Sequence, residues 1–185
     1  MASSHATPDT TRAAHVRSAW HVVLAAAAVA LCVVPATAQA PADPAPTHGL
    51  LDGRQFVGTF GPRDGGVGRI DTLFFSEGRF WSANCVPCGF VPALYWVRQD
   101  GNAIHFRGEM FSRDRGQFTY TGTLRGDRIE ADVRWQKARW YWSIDRSFRF
   151  EGRLVEGPVE VSLAGVTRRA EQAGIEPEPD AYCPL

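Results

Sequence analysis

A chain of 185 residues with 20 basic and 20 acidic side chains carries no net charge, and no basic cluster stands out along it. The electrostatic footprint of a phosphate-backbone binder is missing, so nucleic acid is excluded as a partner. The cysteines number four and the histidines five, and no spacing among them matches a metal-ligand motif.

The first forty residues differ from the rest. Arg12 and Arg17 precede an apolar run from Ala19 to Val34, Pro35 breaks it, and Ala36-Thr37-Ala38 supplies a small-x-small cut site. Charged start, apolar middle and small-residue end are the marks of a secretory signal, expected over residues 1–38 with cleavage after Ala38. A retained anchor is the alternative, but the run falls short of the roughly 20 residues a spanning helix needs. No stable membrane span is therefore expected after processing, and the mature protein is expected in the periplasm or outside the cell. Residues 39–49, rich in Pro and Ala, read as a stiff tether with nothing to bury. The remainder of the chain is expected to be one domain, since roughly 130 residues form one core and not two.

From residue 50 to 163 the chain falls into short alternating segments split by turn residues. Arg54–Phe60 is the first, then Arg69–Phe75 and Arg79–Ala83, separated by Ser76-Glu77-Gly78. Ala93–Gln99 meets Ala103–Phe111 across Asp100-Gly101-Asn102, and Gln117–Arg125 meets Arg128–Gln136 across Gly126-Asp127. Glycine and Asp between alternating runs are hairpin signals. The alternation assigns faces: Ile104, Phe106 and Met110 oppose His105, Arg107 and Glu109, while Ile129, Ala131, Val133 and Trp135 oppose Glu130, Asp132 and Arg134. On the Ala93–Gln99 segment Leu94, Trp96 and Arg98 are read as sharing a face, with Arg98 a cation that must be accounted for there. The last strand is read as one long element entered by a hairpin at Lys137-Ala138-Arg139, with Trp140, Trp142, Ile144, Arg146, Phe148 and Phe150 on its inner side. The expected fold is all-β: an antiparallel up-and-down meander of about eight strands, closed or partly open as a barrel, since closure removes exposed edges. Val159–Leu163 is a candidate ninth strand. Residues 164–185 are read as a short helix, Thr167–Ala173 stopped by Gly174, and then a Pro- and Glu-rich tail ending near Cys183.

Past the signal three cysteines remain, Cys85, Cys88 and Cys183, all disulfide candidates. Joining Cys183 to either of the others closes a loop of nearly one hundred residues, worth about 4–5 kcal/mol by chain entropy, against about 2 kcal/mol for a Cys85–Cys88 bond. The short bond has chemistry in its favour, because two cysteines with two residues between them suit thiol–disulfide exchange. Phe80-Trp81-Ser82-Ala83-Asn84-Cys85-Val86-Pro87-Cys88 resembles the active-site stretch of periplasmic thioredoxin-like reductases, departing at Asn84 where that family has Trp. The resemblance implies Cys85 as attacking and Cys88 as resolving thiol. It also implies a helix starting at the first Cys, whereas Gly89 and Pro92 interrupt the stretch where that helix would run.

A second resemblance covers 50–154. Asp71-Thr72-Leu73-Phe74-Phe75, Gly78-Arg79-Phe80, Cys85, Gly89-Phe90, Tyr95 and Thr121-Gly122-Thr123-Leu124-Arg125-Gly126-Asp127 are similar to secreted proteobacterial proteins of unassigned role that look like calycin-type barrels, the class of lipocalins and avidins. It implies a fold more than an activity.

Gly-x-Ser-x-Gly, phosphate-loop and His-Glu-x-x-His patterns are absent, so the common hydrolase and nucleotide signatures do not apply, and no cofactor or metal is implied. Aromatics are abundant, and either fill a core or line a barrel mouth for a flat or apolar ligand. The ligand-binding candidates are Trp96, Tyr120, Trp135, Trp140, Trp142 and Arg146, the last a cation on an apolar face that needs a carboxylate, solvent or an anionic ligand. The leading expectation is non-catalytic binding of a small, partly apolar ligand or an envelope partner. A periplasmic thiol–disulfide oxidoreductase and a structural envelope protein without ligand are the alternatives.

Overall fold

The computed structural model describes residues 49–176 and Cys183. The expected signal, the tether before Gly49 and the tail apart from Cys183 lie outside the described residues. The chain divides into two units, Met1–Ala40 and Pro41–Leu185, and the strands and the helix of the described residues lie in the second.

Eight strands succeed one another as a meander: β1 (Arg54–Pro62), β2 (Arg69–Ser76), β3 (Arg79–Ser82), β4 (Ala93–Asp100), β5 (Ala103–Ser112), β6 (Gly116–Arg125), β7 (Arg128–Ala138) and β8 (Ser143–Val155). Each pairs antiparallel with the next, and β8 returns to β1 from Gln55↔Val155 to Pro62↔Phe148, closing the barrel. This is the expected all-β architecture, and it is compatible with the calycin-type resemblance. A short 3₁₀ turn, Val86–Cys88, sits between β3 and β4, and one helix, α1 (Leu163–Ile175), comes after the barrel. Among the described residues no helix is long and apolar enough to cross a membrane.

The interior is filled by rings that interlock with glycines. Phe75 packs edge-on against Phe56, Tyr95 and Phe106, and Phe80 meets Tyr120. Room for them comes from strand glycines: a Cβ at Gly108 would lie 2.1 Å from the Phe80 ring, and one at Gly122 would lie 2.3 Å from the Phe106 ring. Large side chains thus occupy the space that missing ones leave, which gives crystal-like density in a narrow barrel. On the outer face Arg149 bridges Glu130 (3.3 Å) and Glu151 (2.7 Å), and Arg153 meets Asp127 at 2.8 Å. Such exposed pairs contribute about 0–1 kcal/mol each.

The two ends differ. At one, the Gly49–Gly53 turn lies across the opening with Leu51 fully buried, held by Tyr95, whose hydroxyl donates to Asp52 (2.8 Å) and accepts from the Leu51 N–H (3.0 Å). At the other end lie the β1–β2, β5–β6 and β7–β8 turns and the β3–β4 loop with its 3₁₀ turn, around an open mouth.

Four local expectations are corrected. The β7–β8 turn is Arg139–Trp142, closed by the Arg139 N–H donating to the Trp142 carbonyl (2.8 Å), because the ladder continues through Lys137↔Ile144 and Ala138↔Ser143. Trp140 and Trp142 therefore sit in a turn and not on the inner side of a strand. On β4 the buried residues are Tyr95 and Val97, while Leu94, Trp96 and Arg98 face outward. Both faces of that segment are greasy, and pairing with Gly108 and the inward Phe106 decides between them. Val159–Leu163 forms no strand: with β1 already paired to β2 and β8, the closed sheet offers no edge. Instead Ser162 caps α1, its Oγ accepting from the Gly165 N–H at 3.1 Å. The helix runs through Gly174 and does not stop there, since that residue touches the chain at Gly89.

Candidate functional site

A cavity of about 1430 Å³ opens at the mouth. Its wall is aromatic: Phe60 stacks on Phe148 with centroids 5.0 Å apart, and Phe118 stands edge-on to both at 6.2 Å and tilted on Phe90 at 4.8 Å. These residues face inward by strand alternation, Phe60 on β1, Phe118 on β6 and Phe148 on β8, so one side of the cavity is a continuous apolar surface.

Its floor is polar. Asp71, inward on β2 and almost fully buried, accepts on Oδ1 from the N–H groups of Thr72 (2.8 Å) and Asn84 (3.1 Å), and on Oδ2 from the Ser82 hydroxyl (2.7 Å). Ser82 Oγ in turn accepts from the Cys85 N–H at 3.2 Å, and Cys85 Sγ lies 3.7 Å from the Tyr120 hydroxyl. Burial raises Asp71 above its ordinary range, outweighing the three donated hydrogen bonds. The Cys85 thiol is pushed up to about 12, first by burial and then by the Asp71 charge. Burial likewise lifts Tyr120, with Cys85 and Asp71 adding to the effect. This cluster ties β2, β3, β6 and the β3–β4 loop together beneath the cavity.

The rim is held by a disulfide between Cys88 and Cys183, with Cα atoms 5.5 Å apart and a separation of 95 positions in sequence. Cys85 is left as a buried thiol. A three-residue 3₁₀ turn comes after it in place of a long helix, so no sizeable helix dipole stabilises a thiolate. An attacking thiol needs the opposite surroundings.

Compared with known proteins, the chain matches no family model, no curated protein and no solved structure. Its site is therefore read from its own geometry.

Of the residues singled out in the sequence, Cys85, Cys88, Cys183 and Arg146 line the cavity. Arg146 faces the mouth opposite Trp135, its guanidinium carbon 5.9 Å from the indole centroid, and no carboxylate pairs with it among the described residues. It meets the demand for solvent by sitting where the barrel opens. Trp135 is fully buried and donates its indole N–H to the Arg115 carbonyl at 2.7 Å, and Tyr120 is buried in the floor, so both are core before they are contact surface. Trp96 lies on the outer face and Trp140 and Trp142 in the turn, so none of the three lines the cavity. The sequence places Phe148 on the inner side of the last strand, as found, but marks neither it nor Phe60, Phe118 or Asp71 as a site residue. The signal for Asp71 was present, since it alternates with Leu73 and Phe75 and is the buried charge on a set whose other charge, Arg69, is exposed at the mouth. Nothing short of barrel closure brings Phe60 of the first strand to Phe148 of the last.

Proposed function

We propose that this barrel binds, without catalysing a reaction, a small and partly apolar ligand in its mouth cavity, and that it works in the periplasm or outside the cell. The observation that carries the reading is the asymmetry of the ends. One is sealed by Leu51 and Tyr95, while the other opens on the Phe60–Phe118–Phe148 wall with Arg146 at its edge. Concave apolar surface with a few convergent polar groups is the usual form of a small-molecule site. An apolar body would lie on the rings and an acidic group would meet Arg146 through a charge-assisted hydrogen bond. The Cys88–Cys183 disulfide is consistent with an oxidising compartment.

The test is a thermal-shift and titration screen against aromatic carboxylates, acyl-chain acids and porphyrins. A ligand at a hundred times its Kd stabilises the native state by about 2.7 kcal/mol. Arg146→Ala is expected to weaken an anionic ligand tenfold or more, given about 1.5–3 kcal/mol for a hydrogen bond to a charged group. Phe148→Asp is expected to weaken every class. If no compound binds saturably, the ligand reading fails and a structural envelope role takes its place.

A further inference from the structure

The β7–β8 turn has no role inside the barrel. Trp140 is 93% exposed, Tyr141 and Trp142 are exposed beside it, and their rings contact one another at 4.6 and 6.1 Å. On the neighbouring hairpin the β1–β2 turn presents Val67, 94% exposed. Large apolar side chains grouped on protruding turns mark an interaction surface, and Trp and Tyr suit a boundary that is apolar on one side and wet on the other.

Charge indicates the partner. The turns at this end carry Arg63, Arg113, Arg115 and Arg139 against Asp64 and Asp114, with Lys137 at the end of β7. The turns at the sealed end carry Asp52, Glu77 and Asp127, and the strand ends beside them carry Asp100 with Arg54, Arg79, Arg125 and Arg128, so acids and bases balance there. Among the described residues the mouth end, the end with the exposed rings, is therefore the more basic of the two and the one suited to an anionic surface. Lys137 is held below its ordinary range by burial and by the neighbouring Arg139 and Arg115, so these cations crowd one another. Beside the turn is a second cavity, of about 260 Å³, lined by Ser112, Asp114, Arg115 and Lys137 with Gly174 and Ile175 of α1. Ser112 Oγ is closed to solvent and has no hydrogen-bond partner among the described residues.

We infer that the mouth end docks on an anionic phospholipid surface, with Trp140, Tyr141 and Trp142 entering the interface and Arg115, Lys137 and Arg139 facing the lipid phosphates. Exposed rings supply depth and the cations supply attraction, each basic side chain near an anionic surface being worth about 1 kcal/mol. The inference stands apart from the small-ligand reading, because none of the three turn aromatics lines the mouth cavity.

The Pro41–Leu185 unit holds the entire barrel, α1 and both disulfide cysteines, and lacks the apolar run of residues 19–34. It is mixed with vesicles of phosphatidylglycerol and phosphatidylethanolamine, and separately with phosphatidylcholine alone, and sedimentation and tryptophan quenching by brominated acyl chains are read. The expected result is binding to the anionic vesicles, weakened by salt, with quenching. Trp140→Ser with Trp142→Ser is expected to abolish the quenching and lower partition about tenfold or more. Arg115→Gln with Lys137→Gln is expected to lower partition roughly thirtyfold at low salt. Unchanged circular dichroism shows that each variant is folded. Three outcomes overturn the inference: no binding to anionic vesicles, binding indifferent to both double variants, or a dimer that the turn variant dissociates in the absence of lipid affinity. Inorganic phosphate that raises the melting temperature of a protein that ignores vesicles likewise counts against a membrane and for a free anion.

Discussion

A carboxylate beneath an apolar cavity is costly, and Asp71 is kept there by three donors from the chain around it. Burial nevertheless wins and raises its pKa, which fixes the sign of its contribution. A carboxyl whose folded pKa lies above the unfolded value, about 4, favours the native state at acid pH. That contribution is lost as pH rises through the folded pKa. Asp71→Asn removes the charge with little change of shape, so the variant is expected to gain on the native sequence as pH is raised, and the gap is expected to close in acid. Thermal melts over a pH series check this, and a gap that does not vary with pH would show that the carboxyl is not shifted. The same substitution takes away one of the two causes that hold Cys85 near 12, so its thiol is expected to alkylate faster at alkaline pH.

At the scale of elements, α1 is joined to the barrel by a contact between two backbones. Gly89, at φ 78°, closes the 3₁₀ turn in the left-handed region, and a Cβ there would lie 2.6 Å from Gly174 Cα. Gly89→Ala meets strain and collision together, and is expected to cost roughly 2–4 kcal/mol. Its effect is expected in local hydrogen exchange of α1, which packs chiefly on the 3₁₀ turn, as well as in the denaturation midpoint, whereas the strand ladders stay protected. Gly174 in a helix interior is otherwise a weak choice, and the close approach explains it. The strand elements were legible because period-two alternation and Gly/Asp turns agree for β5, β6 and β7. On β4, where Leu94, Tyr95, Trp96 and Val97 are all apolar, alternation gives no direction and the neighbouring strand decides.

For the molecule as a whole, Cys88–Cys183 ties the C-terminal tail back to the loop at the mouth after 95 residues. Cys183→Ser is expected to lower stability by about 4–5 kcal/mol on the chain-entropy account. Because the bond joins a loop to the tail and no strand to another, the variant is expected to keep its sheet circular dichroism while its denaturation midpoint falls. Loss of the sheet signal in native buffer would show instead that the barrel depends on the staple. The features determined by the sequence alone were local: alternating segments, their turns, the inward face of most strands, and a long disulfide as the stronger staple. Those come from short-range chemistry, since side-chain period, glycine at turns and loop entropy can be read without knowing who pairs with whom. The tertiary structure decided which end is sealed, that Phe60 meets Phe148, that Asp71 shares a floor with Cys85 and Tyr120, and that Trp140 and Trp142 stand outside. These depend on closure of β8 onto β1 and on ladder register, contacts between residues far apart in the chain, and no periodicity within a segment encodes them.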